Sequence, residues 1–96
     1  MTDKIEEVYI GDKLSGKYVN AGLWAIKSGG VARLMGRGHN IKRCVDVTEI
    51  LKRKLNNPET HIEIWTEEYM DKKTKNLLKV SVIAIEITGT IKNEDE

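Results

Sequence analysis

The segment VARLMGRGHNIKRCVDVTEILKR, residues 31–53, contains the clearest change of pattern in the chain. Residues 31–35 form a short, mostly apolar run that is typical of a strand, and glycines at 36 and 38 end it. Asn40 is a better helix cap than its neighbour His39. From there, residues recur at helical spacing as far as residue 55: Ile41, Cys44, Val45, Thr48, Leu51 and Leu55. The segment therefore predicts a strand, a tight turn and a helix.

Two further apolar positions of this helix, Val47 and Ile50, fall on a second side. A surface helix of a monomer seldom needs two apolar sides. The pattern therefore predicts that a partner covers one side of the helix. Leu55, at the predicted end of the helix, is a candidate for contact between dimers.

Upstream of residue 31, the sequence predicts another strand and another helix. The run Val8–Ile10 stops at Gly11-Asp12, which predicts a first strand over residues 8–10. Ser15 is a candidate cap for a helix over residues 17 to about 27, and the glycines at 29 and 30 end that helix. Trp24 lies off the helical face that has the large apolar residues. Those residues are Tyr18, Val19, Leu23 and Ile26.

Downstream of the second helix, the chain predicts one long hairpin. Asn56-Asn57-Pro58 ends the helix, residues 61–66 alternate polar and apolar, and residues 81–87 keep large apolar residues at alternate positions. The polar segment 71–76 lies between them as a tip. The order is β-α-β-α-β-β, so we predict an α+β two-layer sandwich with a mixed four-stranded sheet and two helices on one face.

Composition limits the class of protein. The chain has 96 residues, 32% of them charged, so we expect one domain spanning residues 1–96. No stretch approaches the roughly 18 apolar residues of a membrane span. The acidic N-terminus does not fit a secretory signal, and one cysteine makes no internal disulfide. We therefore expect a soluble cytoplasmic protein that does not bind membranes.

The charge is unevenly distributed, although its formal sum is only +1. Residues 1–7 and 94–96 are acidic, and we expect both ends to be flexible. Without them, 15 Lys and Arg face 9 Asp and Glu, which gives a net charge of +6 over residues 8–93. That charge either serves solubility alone or attracts a polyanion.

The turn at residues 36–40 is the best candidate for binding chemistry. Glycines there permit close approach of a ligand, and the helix start offers free amides to an anion. Four basic side chains cluster around it, and such groups suit phosphates: Arg37, His39, Lys42 and Arg43. The alternative is a tight turn without a ligand. The segment is not a dinucleotide fingerprint, because Ile41 stands where the third glycine belongs, and no Walker loop occurs.

Other chemistry is poorly supported. Cys44, His39 and His61 are too scattered for a metal site, and Cys44 lies on the apolar side of its helix. We expect Glu63, Glu67 and Glu68 to be solvated rather than catalytic. The sequence therefore predicts no enzyme, no metal and no cofactor. Among the aromatic residues that can stack on bases, Tyr69 beside the basic tip is a better candidate than Trp24 or Trp65.

Three stretches in order resemble the Alba family of nucleic-acid-binding proteins. Residues 36–53 resemble its Gly-x-Gly turn and second helix, residues 10–13 with Tyr18-Val19 its first loop and helix, and residues 80–87 its last strand. The resemblance implies the same fold, and dimers that bind DNA and RNA with little sequence preference. It covers about Val8 to Ile91.

The resemblance also implies where nucleic acid binds: the first loop, the glycine turn with the helix start, and the hairpin tip. The candidate nucleic-acid-binding residues are Lys13, Lys17, Arg37, His39, Asn40, Lys42, Arg43, Lys72, Lys73 and Lys75. Lys13 matches a lysine that can be acetylated in members of the family, so it is a candidate modification site. Asp12 and His39 each remove a positive charge that the family often has there, which disfavours tight packaging of duplex DNA.

Two functions remain open at the level of the sequence. The first is a sequence-nonspecific DNA- and RNA-binding protein that acts in chromatin or on RNA, as a homodimer or as a heterodimer with a paralogue, and associates with the chromosome. The second is a protein–protein module of a ribonucleoprotein in which RNA contact is secondary. The near-neutral total charge and the two-sided second helix favour the second.

Overall fold

A computed structural model describes residues 4–92 of the chain. Its elements are β1 (Ile5–Tyr9), α1 (Ser15–Lys27), β2 (Val31–Arg37), a 3-10 turn (Gly38–Asn40), α2 (Ile41–Arg53), β3 (Leu55–Met70) and β4 (Leu77–Ile91). This order confirms the predicted β-α-β-α-β-β arrangement. Neither helix within these residues is long and apolar enough to cross a membrane.

The strands form one mixed sheet over the described part of the chain, in the order β1-β2-β4-β3. β1 pairs with β2 in parallel, and β4 pairs antiparallel with both β2 and β3. The β2–β4 register sets Leu34 opposite Ile85 and Arg37 opposite Val82. As a result, the last residue of β2 lies beside the middle of the long hairpin.

The core lies between the sheet and the two helices. On β2, buried Ala32 and Leu34 alternate with the partly exposed Val31, Arg33 and Met35, because successive side chains of a strand point to opposite faces. β4 adds a row of buried isoleucines to the same face, and the helices add residues at their own spacing: Ile83, Ile85, Ile87, Val19, Ile26, Cys44, Val47 and Leu51. Full burial of one such aliphatic side chain stabilises the fold by about 1.5–3 kcal/mol.

The first strand begins earlier than predicted. It covers Ile5–Tyr9 rather than residues 8–10, and Ile5 pairs with Val31. Residues 5–7, which we expected in a flexible acidic end, therefore belong to the sheet. Residues 1–3 and 94–96 of the two predicted ends lie outside the described residues. The prediction was wrong here because it treated the acidic side chains as solvated, whereas one of them, Glu7, pairs with Arg33 on the open face of the sheet.

The predicted cap of α1 is wrong. Ser15 is the first residue of α1, and the capping position is Leu14, whose side chain makes no capping hydrogen bond. The backbone satisfies the helix start instead, because the Lys17 amide donates to the Leu14 carbonyl at 3.0 Å. The end of α1 at Lys27, before Ser28-Gly29-Gly30, agrees with the prediction.

The two sides of α2 differ from the prediction. Val47 is fully buried in the core together with Cys44, whereas Val45 is 41% exposed. The second apolar side therefore runs through Val45 and not through Val47. Leu55 is not in the helix at all: α2 ends at Arg53, and Leu55 is the first residue of β3 and is 2% exposed. A buried Leu55 contradicts the suggestion that it mediates contact between dimers.

The hairpin of β3 and β4 extends beyond the rest of the sheet. β2 ends opposite Val82, whereas β4 continues through residues 77–81, paired only with β3. Five strand residues reach about 17 Å, so the hairpin forms an arm of that length. The tip at residues 71–76 is closed by backbone hydrogen bonds, from the Lys75 amide to the Asp71 carbonyl at 2.7 Å and from the Asp71 amide to the Asn76 carbonyl at 2.9 Å.

Candidate nucleic-acid interface

The glycine turn has a structural reason for each of its glycines. A Cβ atom on Gly36 would lie 2.8 Å from the Asn40 carbonyl oxygen and 2.8 Å from the Cys44 Cβ, so only glycine lets α2 start against β2. Gly38 has φ +54°, a left-handed backbone conformation that favours glycine. The fold alone therefore accounts for both glycines, and the case for binding rests on the side chains around them.

The first loop, residues 10–14, is fixed against the turn. The Tyr18 hydroxyl oxygen accepts hydrogen bonds from the amides of Gly11 and Lys13, each at 3.0 Å. From the other side, the Arg43 guanidinium donates to the Lys13 carbonyl. Two regions far apart in sequence are thereby joined into one surface.

Asn40 occupies the N-cap position of α2, as predicted, but its side chain contributes to this joint and not to the helix start. It makes no side-chain capping hydrogen bond. With its amide nitrogen turned toward the first loop, Asn40 donates to Asp12 Oδ1 and to the Gly11 carbonyl, both at 3.3 Å. The side chain does not cap the helix because the 3-10 turn Gly38–Asn40 leads the chain into α2 and leaves the side-chain amide of Asn40 free to contact the loop.

Three of the predicted basic residues have a carboxylate partner. Arg37 Nη2 donates to Glu67 Oε1, His39 Nε2 lies 3.1 Å from Asp12 Oδ1, and Lys42 Nζ lies 2.8 Å from Asp46 Oδ2. All three basic side chains remain largely exposed, at 62% for Arg37, 81% for His39 and 86% for Lys42. The ion pairs of Arg37 and Lys42 are worth roughly 0–1 kcal/mol in such exposed positions, so a phosphate can compete for these two cations.

Two of the three glutamates that we expected to be solvated are engaged. Glu67 accepts from Arg37 with one oxygen and from Trp65 Nε1, at 3.1 Å, with the other. Glu63 accepts from Arg33 at 3.1 Å. Only Glu68 fits the expectation, with a 3.9 Å separation from the Lys79 ammonium and 52% exposure of its side chain. The two arginines lie on β2 and the two glutamates on β3, so both ion pairs reach across the intervening strand β4.

Sequence reasoning missed the role of Arg33. Its guanidinium lies within 3.8 Å of Glu7, 3.1 Å of Glu63 and 2.7 Å of Glu86, and its side chain is 19% exposed. Hydrogen bonds to Glu63 and then Glu86 raise the pKa of Arg33 above its usual value. This network neutralises Arg33, so it adds nothing to a phosphate-binding surface. The sequence signal that could have revealed this network is the alternation of charged residues along β2, β3 and β4.

A cleft opens between the turn and the arm, with a volume of about 600 Å³. We call it the turn–arm cleft, and its lining residues are Arg37, His39, Asn40, Glu67, Glu68, Tyr69 and Val80. Tyr69 is 53% exposed. The cleft therefore combines a cation, two carboxylates, an aromatic ring and an apolar side chain.

The remaining predicted residues are not part of this cluster. Lys17 is exposed on the first turn of α1. Lys72, Lys73 and Lys75 are exposed at the tip of the arm, where the Asp71 carboxylate accepts from the Lys73 amide at 2.9 Å. A single subunit thus presents two separate basic regions, one at the turn and one at the tip.

Cys44 is buried, as its position in the helix predicted, and its thiol lies 3.5 Å from the Leu34 carbonyl oxygen. Burial raises the pKa of the Cys44 thiol to about 11. A thiol with that pKa is a poor nucleophile at neutral pH. Among residues 4–92, no group of three or more His, Cys, Asp and Glu side chains is arranged to hold a metal ion.

Comparison with known proteins gives a consistent result. The family model described as Alba matches residues 6–69 of the chain. Among solved structures, Alba from Thermoplasma volcanium is similar, with a TM-score of 0.76, 25% sequence identity, and coverage of 85% of this chain and 98% of that one. A search of curated proteins found no match.

Proposed function

The chain belongs to the Alba family of nucleic-acid-binding proteins, and from that premise we propose that it binds DNA and RNA through their phosphate backbones. In this function it acts in chromatin architecture or on RNA, associated with the chromosome in the cytoplasm. The protein needs no catalytic group, metal or cofactor, because neutralising a polyanion requires only positioned cations.

The observation that carries the proposal is the joint between the first loop and the glycine turn. Hydrogen bonds from Arg43 and Asn40 to this loop hold Lys13, Arg37 and Lys42 on connected segments. Each neutralised phosphate releases condensed counterion, so a few such cations suffice for measurable binding. Lys13 is exposed, and acetylation would remove its charge from this surface.

The arm supplies a second contact region. The three lysines at its tip lie about 17 Å beyond the end of β2 and can follow a groove that the body of the protein does not enter. Two subunits would present two arms and two turns.

An exposed apolar surface supports a homodimer. Ile62 is 57% exposed, Ile64 is 76% exposed, and Val45 of α2 is 41% exposed. Ile62 and Val45 line a cavity between α2 and the hairpin, and Ile64 and Ile41 line a second cavity beside it. Such a continuous apolar surface is typical of a protein interface, and a second copy or a paralogue with the same strands would cover it.

The test is a binding titration against duplex DNA and against single-stranded RNA, at salt concentrations from about 50 to about 300 mM. We expect binding to both, with a linear fall of log K against log salt. Lys72→Ala should weaken binding and make the slope shallower, by about 0.9 on the duplex and about 0.7 on the single strand, for each phosphate that the variant no longer neutralises. Lys27→Ala, which removes one exposed charge at the far end of α1, is the matched control and should change neither.

A protein–protein assembly module of a ribonucleoprotein is the second candidate. The pairing of Arg37 and Lys42 with carboxylates favours it, because it lowers the charge available for phosphates. In that case the exposed surface of Ile62 and Ile64 would bind a partner protein, and RNA would contact the complex only weakly. Absence of binding to both nucleic acids near about 50 mM salt would favour this function over the first.

A further inference from the structure

The arm has large apolar side chains on both of its faces, immediately behind the tip. Four of them are exposed over more than a third of their surface: Tyr69 (53%), Met70 (63%), Leu77 (58%) and Leu78 (36%). Met70 pairs with Leu77 and Tyr69 pairs with Leu78. Because successive residues of a strand point to opposite faces, one pair lies on each face of the arm. β2 ends before this part of the hairpin, so within residues 4–92 no third strand shields either pair.

The two pairs differ in what they face. Tyr69 lines the turn–arm cleft together with Arg37, so its face of the arm points toward the body of the protein. Met70 and Leu77 lie on the opposite face, are more exposed than the other pair, and have no polar group. Side chains directly opposite each other in an antiparallel pair have their Cβ atoms about 4.5–5.5 Å apart. Met70 and Leu77 therefore form a single apolar projection, at the last pair of the hairpin before the tip.

Cations lie next to this projection. Lys72, Lys73 and Lys75 are exposed at the tip and face one carboxylate, that of Asp71, which leaves a net charge of +2 over residues 71–76. Asp71 is itself engaged, because it accepts from the Lys73 amide at 2.9 Å. An apolar projection beside cations is complementary to a ligand whose negative groups flank flat apolar surfaces. The phosphates of a duplex flank its stacked bases in this way.

We propose that Met70 and Leu77 form a wedge that enters a base step of duplex DNA from the minor groove and bends the duplex. This inference rests on the proposed nucleic-acid function and adds to it a change in the shape of the DNA. Met and Leu are among the side chains that architectural proteins insert between base steps. Insertion replaces the contact between two bases by contacts between each base and an apolar side chain, and it removes both side chains from water. The tip lysines neutralise phosphates beside the opened step.

The dimer surface proposed above does not account for the wedge. Ile64 and Met70 lie on the same face of β3, but they are six residues apart, and six strand residues span about 20 Å. Thr66 and Glu68 occupy that face between them, and the Glu68 side chain is 52% exposed. The apolar surface of the body is thus interrupted by polar groups before it reaches the wedge.

The experiment uses the full chain and two DNA duplexes of about 30 base pairs, one intact and one with two adjacent central mismatches. Both duplexes have the same number of phosphates, so the electrostatic part of binding is the same. Mismatched pairs are already partly unstacked, and a wedge enters there at a lower cost. We expect the mismatched duplex to bind at least about tenfold more tightly in fluorescence anisotropy. Dyes at the two ends of the intact duplex should show increased energy transfer on binding, from a bend of about 20–90°.

The double variant Met70→Ala, Leu77→Ala should reduce the preference for the mismatched duplex to less than about twofold and abolish the bend. It should keep the salt slope of the wild type, because the tip lysines are unchanged. The double variant Tyr69→Ala, Leu78→Ala is the matched control, since it removes the neighbouring apolar pair from the other face of the arm. The control should retain both the preference and the bend.

Equal binding of the two duplexes by the wild type, without a change in energy transfer, would overturn this inference and leave the proposed function intact. No binding to either duplex would overturn both. A preference that survives in Met70→Ala, Leu77→Ala, or that is lost equally in the control, contradicts the assignment of the wedge to this pair. Sedimentation of the Met70→Ala, Leu77→Ala variant as a monomer beside a dimeric wild type also contradicts it, because the pair would then belong to the dimer surface.

Discussion

Glu67→Gln should make this protein bind duplex DNA more tightly while it lowers its stability. In the wild type, Arg37 donates to Glu67, and the two side chains are 62% and 35% exposed. A pair this exposed is screened by water and contributes roughly 0.2–1 kcal/mol. Glutamine keeps the shape of the side chain and one acceptor oxygen for Trp65, but it removes the charge that competes with phosphate for Arg37.

The expected gain follows from the same figure. If a phosphate no longer has to displace Glu67, binding improves by about 0.2–1 kcal/mol, or about 1.4- to fivefold, for each turn that contacts the duplex. The salt slope should also become steeper, by up to about 0.9 for each additional phosphate neutralised. The free energy of unfolding should fall by no more than about 1 kcal/mol.

The assay is fluorescence anisotropy with a labelled duplex at several salt concentrations, together with urea unfolding of each variant. Glu59→Gln removes the same charge at the opposite end of the hairpin from the arm, where Glu59 pairs with Thr88, and is the matched control. The reasoning is refuted if Glu59→Gln raises the affinity as much as Glu67→Gln does, because net charge alone would then explain the effect. It is also refuted if Glu67→Gln leaves the affinity for duplex unchanged.

Three further predictions concern stability and assembly. Gly36→Ala should lower the free energy of unfolding by about 1–3 kcal/mol in urea, because the new methyl group would meet the backbone at 2.8 Å, whereas Gly16→Ala, in open space on a helix, should be neutral or stabilising. Burial raises the pKa of the Cys44 thiol from 9.0 to about 11. The free energy of unfolding should therefore be unaffected below pH 9.0 and should fall by about 3 kcal/mol as the pH rises toward 11. Cys44→Ala should lack this loss. Ile64→Asp should convert a dimer into monomers in analytical ultracentrifugation, and an unchanged sedimentation coefficient would exclude Ile64 from the interface.

The sequence predicted the order of elements because the decisive signals are local. Residues 31–53 change their hydrophobic period within one segment, and the polar run 71–76 separates two alternating strands. Errors arose where one residue fits two structures. Leu55 continues the helical spacing of α2, yet the helix ends two residues earlier and Leu55 opens β3.

Part of the candidate site could be predicted because its signals are also local in sequence. The basic residues around Gly36 and Gly38 are close in sequence, so their clustering could be predicted from the pattern alone. Their partners could not, because Glu67 is 30 positions from Arg37 and Asp12 is 27 positions from His39. Only the β2–β4–β3 order and the packing of the first loop bring these carboxylates to the turn.

The most direct test of the account is the salt slope of duplex binding for the wild type and for the double variant Arg37→Ala, Lys72→Ala. If the turn and the arm both neutralise phosphates, each substitution should make the slope shallower by about 0.9 per phosphate, and the two reductions should add in the double variant. A double variant with the slope of the wild type would contradict the claim that cations at these two regions bind the backbone.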